Sequence, residues 1–198
     1  MCEASARRLC PRVYVYDPGT RPPSLPDGAI ALPQHALAAF GDGSHPTTRL
    51  CAGAVDVMMQ RSRPRAVLDV GTGTGILARI ARARGALSVV ATDIDPAALA
   101  SATHNAALDG HAVAIEVADA PPDRWGPRFG LVVANILEGP LCGMAAALTA
   151  ALAPGGTLLL SGFTPAQNPA LRVAFAGLEF VSASTLAGWS LLMLRRQG

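Results

Sequence analysis

Short, continuous apolar runs alternate along this chain with segments in which apolar residues recur at helical spacing. The runs predict strands at 66–70, 88–92, 112–117, 131–134 and 157–161. Helices are predicted to begin at His45-Pro46, to cover 76–84, to extend from Asp95-Pro96 to Gly110, and to cover 140–152. Because the strands are apolar throughout, they are typical of a parallel sheet with helices on both faces.

The last two apolar runs break this alternation. Strands are predicted at 179–185 and 189–195, and only residues 186–188 separate them. A parallel crossover needs about a dozen residues or more, so these two strands are expected to pair as an antiparallel hairpin. The predicted fold class is therefore a doubly wound α/β sheet of seven strands, mostly parallel, with the last strand reversed.

The first 34 residues differ from the rest of the chain. They hold six of its 16 prolines and two short predicted strands, at 12–16 and 29–32. A segment of this size is too short to bury a core of its own. We therefore expect one domain over residues 35–198, preceded by a Pro-rich lead-in over residues 1–34.

Composition argues against several classes of protein. Of the 198 residues 51% are hydrophobic, but 38 are alanine, and no apolar run approaches the length of a membrane span, which is about 20 residues. All 16 basic residues are arginine, and against 14 acidic residues they leave a net charge of +2. Neither a membrane nor a nucleic-acid partner is expected. The arginine clusters at 61–65 and 79–84 are expected to form a solvated surface away from any ligand.

The cysteines indicate neither a metal site nor a disulfide framework. Cys2, Cys10, Cys51 and Cys142 show no CxxC spacing. They suit a reducing compartment, and no apolar signal segment follows the N-terminus. A cytoplasmic location is the expectation.

Glycine and acidic residues follow the predicted strands in a pattern that indicates a nucleotide-like ligand. The sequence DVGTGTG at 69–75 joins a strand to a helix, where glycine permits a sharp turn and a close approach to a ligand. Asp93 ends the next strand and is placed to bond a ribose diol, whereas Asp95 is the better helix cap. Asp119, after the third strand, is a candidate for the adenine amino group; the alternative is a solvated loop acid.

These residues fit an adenosine ligand, which both NAD and S-adenosylmethionine contain. The dehydrogenase fingerprint is GxGxxG, whereas this chain has GxGxG. With no lysine, the chain also excludes a Tyr-x-x-x-Lys catalytic pair. Together with the reversed last strand, this favours a class I methyltransferase over an oxidoreductase, by analogy of fold.

Four motifs together resemble one family. FGDGSHPTT at 40–48, DVGTGTG at 69–75, DIDP at 93–96 and NILE at 135–138 are similar, in the same order, to motifs of the bacterial ribosomal-protein lysine methyltransferases that modify protein eleven of the large subunit. The resemblance covers about residues 12–196. It implies S-adenosylmethionine as the cofactor and an amine of a protein, ribosomal or other, as the methyl acceptor.

The resemblance also implies a role for each matching residue. Phe40 and one of the threonines after Pro46 would cover the methionine end of the cofactor, with the loop glycines beneath it. Asp93 would hold the ribose and Ile94 would pack on the adenine. Asn135 is the expected catalytic residue: it would face the transferring methyl group and orient the acceptor amine. The expected cofactor-binding residues are Phe40, Thr47, Thr48, Asp69, Gly71, Gly73, Gly75, Asp93, Ile94, Asp119 and Asn135.

Some features leave alternatives open. Asp42 stands where the family usually has threonine, and the family carries a separate N-terminal domain that presents the substrate. A small-molecule N-methyltransferase and a non-catalytic subunit that binds the cofactor therefore remain alternatives. His45 is either a general base or a turn residue, and Trp125 is either a flap over the substrate or a packing anchor. The sequence does not indicate an oligomeric state.

Overall fold

The computed structural model describes residues 6–35, 39–109 and 115–198. The strands are Arg7–Cys10 (β1), Val13–Tyr16 (β2), Ile30–Pro33 (β3), Ala66–Val70 (β4), Ser88–Thr92 (β5), Ile115–Ala118 (β6), Phe129–Asn135 (β7), Leu152–Phe163 (β8), Glu179–Leu186 (β9) and Trp189–Arg195 (β10). The α-helices are Pro46–Arg61 (α1), Ile76–Ala83 (α2), Pro96–Leu108 (α3), Glu138–Gly143 (α4), Ala145–Ala151 (α5) and Asn168–Ala174 (α6).

The main sheet confirms the predicted fold class. Its strand order is β6-β5-β4-β7-β8-β10-β9. The strands from β6 to β8 pair in parallel, whereas β10 lies between β8 and β9 and is antiparallel to both. The predicted hairpin is therefore present, and its second strand is the reversed strand of the sheet.

Both faces of the central strands of the main sheet are buried, which explains their continuous apolar runs, whereas the edge strand β9 is largely exposed. Val67 points to a core shared with α1 and α2, and its neighbour Leu68 points to a core shared with α4, α5 and α6. Side chains of a strand alternate between the two faces. A strand covered on both sides is therefore apolar at most positions, and the exception in β4 is Asp69.

The lead-in contributes to the first of these cores. Its sheet has the order β1-β2-β3, with β1 and β2 antiparallel and β2 and β3 parallel. Leu9, Val13 and Leu32 are buried together with Cys51 of α1. β1 is not apparent from the sequence pattern, because Arg7 and Arg8 interrupt the apolar positions. The domain division after residue 34 stays a prediction.

Two predicted elements need correction, and a third extends beyond the described residues. The helix expected over 140–152 is two helices that meet at Met144, directly after Gly143, since glycine disfavours helix continuation. β8 is longer than expected and contains the predicted turn at 154–156 as an irregularity in its pairing with β7. α3 ends at Leu108, and both the predicted end at Gly110 and the start of the strand at 112–117 lie outside the described residues.

The second arginine cluster is not the solvated surface that we expected. Arg79 is 1% exposed; its Nε and Nη2 donate to the two carboxylate oxygens of Asp109 at 2.6 and 2.7 Å, and Nη2 also donates to the carbonyl of Pro33. Arg84 donates to Asp56 at 2.6 Å and to two carbonyl groups of the lead-in. Arg79 is buried and Arg84 is partly buried, and both satisfy polar groups that are remote in sequence.

The first arginine cluster agrees with expectation, since Arg61, Arg63 and Arg65 are exposed. In the part of the chain that the structure describes, no helix combines the length and the apolar character needed to cross a membrane.

Replacing Asp109 by alanine tests the importance of the buried ion pair. Asp109→Ala leaves the Arg79 guanidinium buried without its carboxylate, and breaking a buried pair in this way costs about 3–5 kcal/mol. Urea unfolding followed by circular dichroism measures the loss. Asp27→Ala, at an exposed position, is the control and is expected to change stability by less than about 0.5 kcal/mol. Equal stabilities of the two variants would contradict this assignment.

Candidate cofactor site

The carboxyl ends of β5, β4 and β7 form the edge of the sheet at which the predicted site residues gather. Asp93 follows β5, residues 71–75 follow β4, and Asn135 ends β7. Val70 pairs with Ala134, so Asn135 lies beside the start of the loop after β4. Ligands of open α/β sheets bind at this edge.

The glycine loop, residues 71–75, requires glycine for both conformation and space. Gly71, Gly73 and Gly75 have φ angles of 70°, 55° and 80°, in the left-handed region that other residues rarely adopt. A Cβ on Gly71 would lie 2.2 Å from Cγ2 of Ile136, and one on Gly73 would lie 2.1 Å from the carbonyl oxygen of Phe40. These two glycines therefore let neighbouring segments of the protein lie directly against the loop.

One of those segments is the Phe40 loop, residues 40–44. The backbone N–H of Thr74 donates to the carbonyl of Phe40 at 2.9 Å, and the Thr74 hydroxyl donates to the carbonyl of Gly41 at 2.7 Å. Gln34 donates to the same Gly41 carbonyl at 3.2 Å. The Phe40 loop is thus held on the glycine loop by its backbone, and the Phe40 ring remains 56% exposed.

Asp93 is oriented by two backbone donors. Its Oδ2 accepts from the N–H of Gly73 at 3.0 Å, and its Oδ1 accepts from the N–H of Asp95 at 3.1 Å. A carboxylate offers about four acceptor positions, so two remain for a ligand. Asp95 accepts from the N–H of Ala97 at 2.9 Å, which confirms that Asp95, and not Asp93, caps α3.

Asp69 lies beneath the glycine loop and is fully buried. Its Oδ2 accepts from the Thr72 hydroxyl at 2.7 Å and from the N–H of Ala78 at 3.1 Å. Burial raises the pKa of Asp69 to about 6, against the two hydrogen bonds, which lower it. From this position Asp69 orders the turn between β4 and α2.

The other predicted cofactor residues fall into two groups. Ile94, next to Asp93, is 91% exposed, which is unusual for a large apolar side chain, and Asp119 is exposed after β6. Thr47 and Thr48 are instead buried in the first turn of α1. The structure therefore brings the Phe40 loop, the glycine loop and Asp93 into contact. Thr47 contacts the ring of His45, which packs against Phe40, and a role for either threonine in binding the cofactor stays a prediction.

Asn135 carries an unsatisfied polar atom. Its Oδ1 is buried and accepts no hydrogen bond from any described residue, although most buried polar atoms have a partner. Leu137, two residues further on, is exposed at the same edge. This acceptor is available for a donor group that the protein does not itself supply.

The structure adds an aromatic residue that the sequence analysis missed. Because β10 is antiparallel, its first residue, Trp189, lies at the same edge as the ends of the parallel strands. The Trp189 and His45 ring centroids are 4.7 Å apart, and His45 and Phe40 are 5.2 Å apart, both edge-on. The position of Trp189 at the start of a reversed strand was the signal that could have identified it.

The contacts of His45 and Trp125 indicate which of the alternative roles each residue has. The Nδ1 of His45 accepts from the N–H of Thr47 at 3.3 Å and lies 2.8 Å from its hydroxyl, so His45 is the N-cap of α1. Trp125 is partly buried against the second core, with its ring centroid 6.4 Å from that of Phe129, as in the packing-anchor alternative. Among the described residues, no group of three or more potential ligands is arranged to hold a metal ion.

The fold and site define an α/β protein of the class I methyltransferase type, with one reversed strand and a glycine loop beside an acidic strand end. Residues 15–197 match the profile of the ribosomal protein L11 methyltransferase (PrmA) family, and the chain belongs to that family.

Individual relatives and solved structures agree with this membership. The chain is 44% identical over 162 residues to the ribosomal protein L11 methyltransferase of Geobacter sulfurreducens, covering 81% of this chain and 52% of that protein. It is 43% identical over 171 residues to the ribosomal protein L11 methyltransferase of Bradyrhizobium diazoefficiens, covering 82% of this chain and 58% of that protein. The chain therefore spans little more than half the length of these curated relatives. The crystal structure of a ribosomal protein L11 methylase from Lactobacillus delbrueckii subsp. bulgaricus superposes with a TM-score of 0.86 at 28% identity, covering 98% of this chain and 99% of that one.

Gly73→Ala tests the close approach of the Phe40 loop. The change adds a Cβ where the Phe40 carbonyl lies, in addition to the cost of a left-handed residue, which is about 1–2 kcal/mol. Gly155→Ala is a matched control, because Gly155 has a φ of 73° and nothing within 4 Å of its Cβ position. Urea unfolding is expected to show a loss for Gly73→Ala that exceeds the control by about 1–3 kcal/mol, the usual cost of overpacking. Equal losses would show that the contact with Phe40 is unimportant.

Proposed function

We propose that this chain binds S-adenosylmethionine at the carboxyl edge of its sheet and methylates an amine of a ribosomal protein. The observation that carries the proposal is the arrangement at this edge, where the Phe40 loop, the glycine loop and Asp93 meet beside the unpartnered Asn135. The substrate class follows from the names of the family and of its curated relatives. A cytoplasmic location, where ribosomal proteins are made, is part of this proposal.

The residues present fit such a cofactor. Asp93 has acceptor positions left for the two ribose hydroxyls, and Ile94 offers an exposed apolar surface for the adenine. Phe40 lies above the glycine loop, where it would cover the methionine end. When bound, S-adenosylmethionine supplies a sulfonium methyl group that an amine can take up by in-line displacement.

The acceptor amine must be neutral and must direct its lone pair at the methyl group. The free Oδ1 of Asn135 would accept an N–H of this amine and so fix its orientation. Positioning of this kind provides much of the rate enhancement in a reaction between two bound partners. His45 uses Nδ1 to accept the capping hydrogen bond from Thr47. Because a neutral imidazole has only one acceptor nitrogen, His45 is then not free to take a proton from the amine. We therefore expect the amine to lose its proton to water.

The free carbonyl of Asn135 also bears on the alternatives. At the edge where the cofactor is proposed to bind, this carbonyl has a use in an enzyme that orients an amine, which a non-catalytic subunit lacks. The exposed Leu137, two residues after Asn135, favours a polypeptide acceptor over a small polar molecule.

Ligand-dependent stability tests the cofactor. S-adenosylhomocysteine at about 100 times its Kd is expected to stabilise the native state by about 2.7 kcal/mol, seen as a rise in Tm, whereas NADH is expected to have no effect. Asp93→Asn should raise the Kd of S-adenosylhomocysteine about 10- to 100-fold, the range for hydrogen bonds to a charged group. Asp95→Asn is the matched control, because asparagine also caps helices well. Stabilisation by NADH alone would refute the proposal.

Asn135→Ala separates methyl transfer from cofactor binding. With radiolabelled S-adenosylmethionine and purified ribosomal protein L11 as the acceptor, the change is expected to lower kcat about 100-fold or more, the scale for one positioned polar group at a reacting centre. Calorimetry is expected to show little change in the Kd of S-adenosylhomocysteine. Asn168→Ala removes another buried, unpartnered amide carbonyl, at the start of α6, and should leave kcat unchanged. A fully active Asn135→Ala enzyme would remove Asn135 from the site.

A further inference from the structure

We propose that Arg7 and Asp42 are positioning residues for the cofactor, and that their ion pair holds the Phe40 loop in the conformation that binds it. The sheet of the lead-in would then determine part of the cofactor affinity, although it contributes no residue to the edge at which the cofactor binds. This inference rests on the proposed function, since it concerns the same cofactor site.

The ion pair joins β1 to the middle of the Phe40 loop. The Nη1 of Arg7 lies 2.9 Å from Oδ2 of Asp42 and also donates to the Asp42 carbonyl at 3.2 Å. The other carboxylate oxygen, Oδ1, accepts from the N–H of Ser44 at 2.9 Å and from its hydroxyl at 2.6 Å. Burial opposes ionisation of Asp42, but the bonds from Ser44 and Arg7 outweigh it and hold its pKa below the ordinary value.

A second contact from β1 supports the same loop. A Cβ on Gly43 would lie 2.2 Å from Cδ2 of Leu9, so the Leu9 side chain lies directly against the backbone of Gly43. The pairing of β1 with β2 is irregular at Leu9, and Arg7 and Leu9 both reach the loop. β1 thus contacts two consecutive residues of the loop, Asp42 and Gly43.

The opposite end of the loop is held by the glycine loop, through the bonds from Thr74 to the carbonyls of Phe40 and Gly41. Residues 40–43 are therefore fixed from both sides. Gly41 and Gly43 have φ angles of 108° and 85°, and glycine backbone has many accessible conformations. Without the contacts from β1, these two glycines would let the loop, and the Phe40 ring with it, leave the observed position.

The identity of residue 42 decides whether this ion pair can form. Threonine, which is usual here in the family's motif, has one side-chain oxygen and no charge. It can close the turn by accepting from Ser44, but it cannot form an ion pair with Arg7. Aspartate does both, with one oxygen for each. The pair is therefore a property of this chain and not of the motif.

The expected change in cofactor affinity depends on how exposed the Arg7–Asp42 ion pair is. The side chains of Arg7 and Asp42 are 52% and 44% exposed, so their attraction is weakened by solvent and by salt. Exposed pairs typically change an equilibrium about two- to fivefold. The expected influence on cofactor affinity is of this size.

A double-mutant cycle tests the proposal by calorimetry with S-adenosylhomocysteine at low and high salt. Arg7→Ala and Asp42→Thr are each expected to raise the Kd about two- to fivefold at low salt, and the double variant is expected to be no weaker than either single variant. Arg7→Lys should restore most of the affinity, and 1 M salt should remove most of the difference from the wild type. Arg8→Ala is the matched control, because Arg8 is exposed and pairs with no carboxylate among the described residues.

Three results would overturn the inference. An unchanged Kd for Arg7→Ala, with or without a lower Tm of the unliganded protein, would show that the pair is merely structural. Additive losses in the double variant would show that the two residues act independently. Both results leave the proposed function intact, whereas a wild-type chain that binds no S-adenosylhomocysteine would overturn the proposed function and the inference together.

Discussion

The carbonyl oxygen of Phe40 occupies the space in which any residue other than glycine at position 73 would place its Cβ. This contact requires a left-handed glycine in the loop after β4, and it permits the hydrogen bond from Thr74 that holds the Phe40 loop in place. The N–H of Gly73 in turn donates to Asp93. A single close approach therefore fixes the relative positions of the three parts of the candidate site.

Arginine side chains connect the lead-in to the domain that carries this site. Arg79 and Arg84 each bind a carboxylate and at least one lead-in carbonyl, and Arg7 binds both the carboxylate and the carbonyl of Asp42. The planar guanidinium can donate in several directions at once, which the ammonium of lysine does less well. The absence of lysine from the chain indicates a compositional bias. These three arginines nevertheless make specific contacts in the structure.

Sequence pattern predicted most of the fold, because the relevant signals are local. Continuous apolar runs identified the core strands, and the short connection before Trp189 identified the reversed strand. One prediction failed because it depends on distant partners: the burial of Arg79 requires Asp109 and Pro33, which lie 30 and 46 residues away. Motifs predicted that Asp93 and Asn135 follow or end parallel strands, and both lie at the carboxyl edge of the sheet. They did not indicate that Trp189 joins Phe40 and His45 there, because this contact depends on where β10 enters the sheet.

A crystal structure of this chain with S-adenosylhomocysteine would show directly whether the cofactor binds at the carboxyl edge of the sheet. The ribose hydroxyls are expected within hydrogen-bond distance of the Asp93 carboxylate. The adenine is expected against Ile94, and the sulfur between the Phe40 ring and the side chain of Asn135. A ligand bound elsewhere, or bound at this edge without contacting Asp93, would show that this is not the cofactor site.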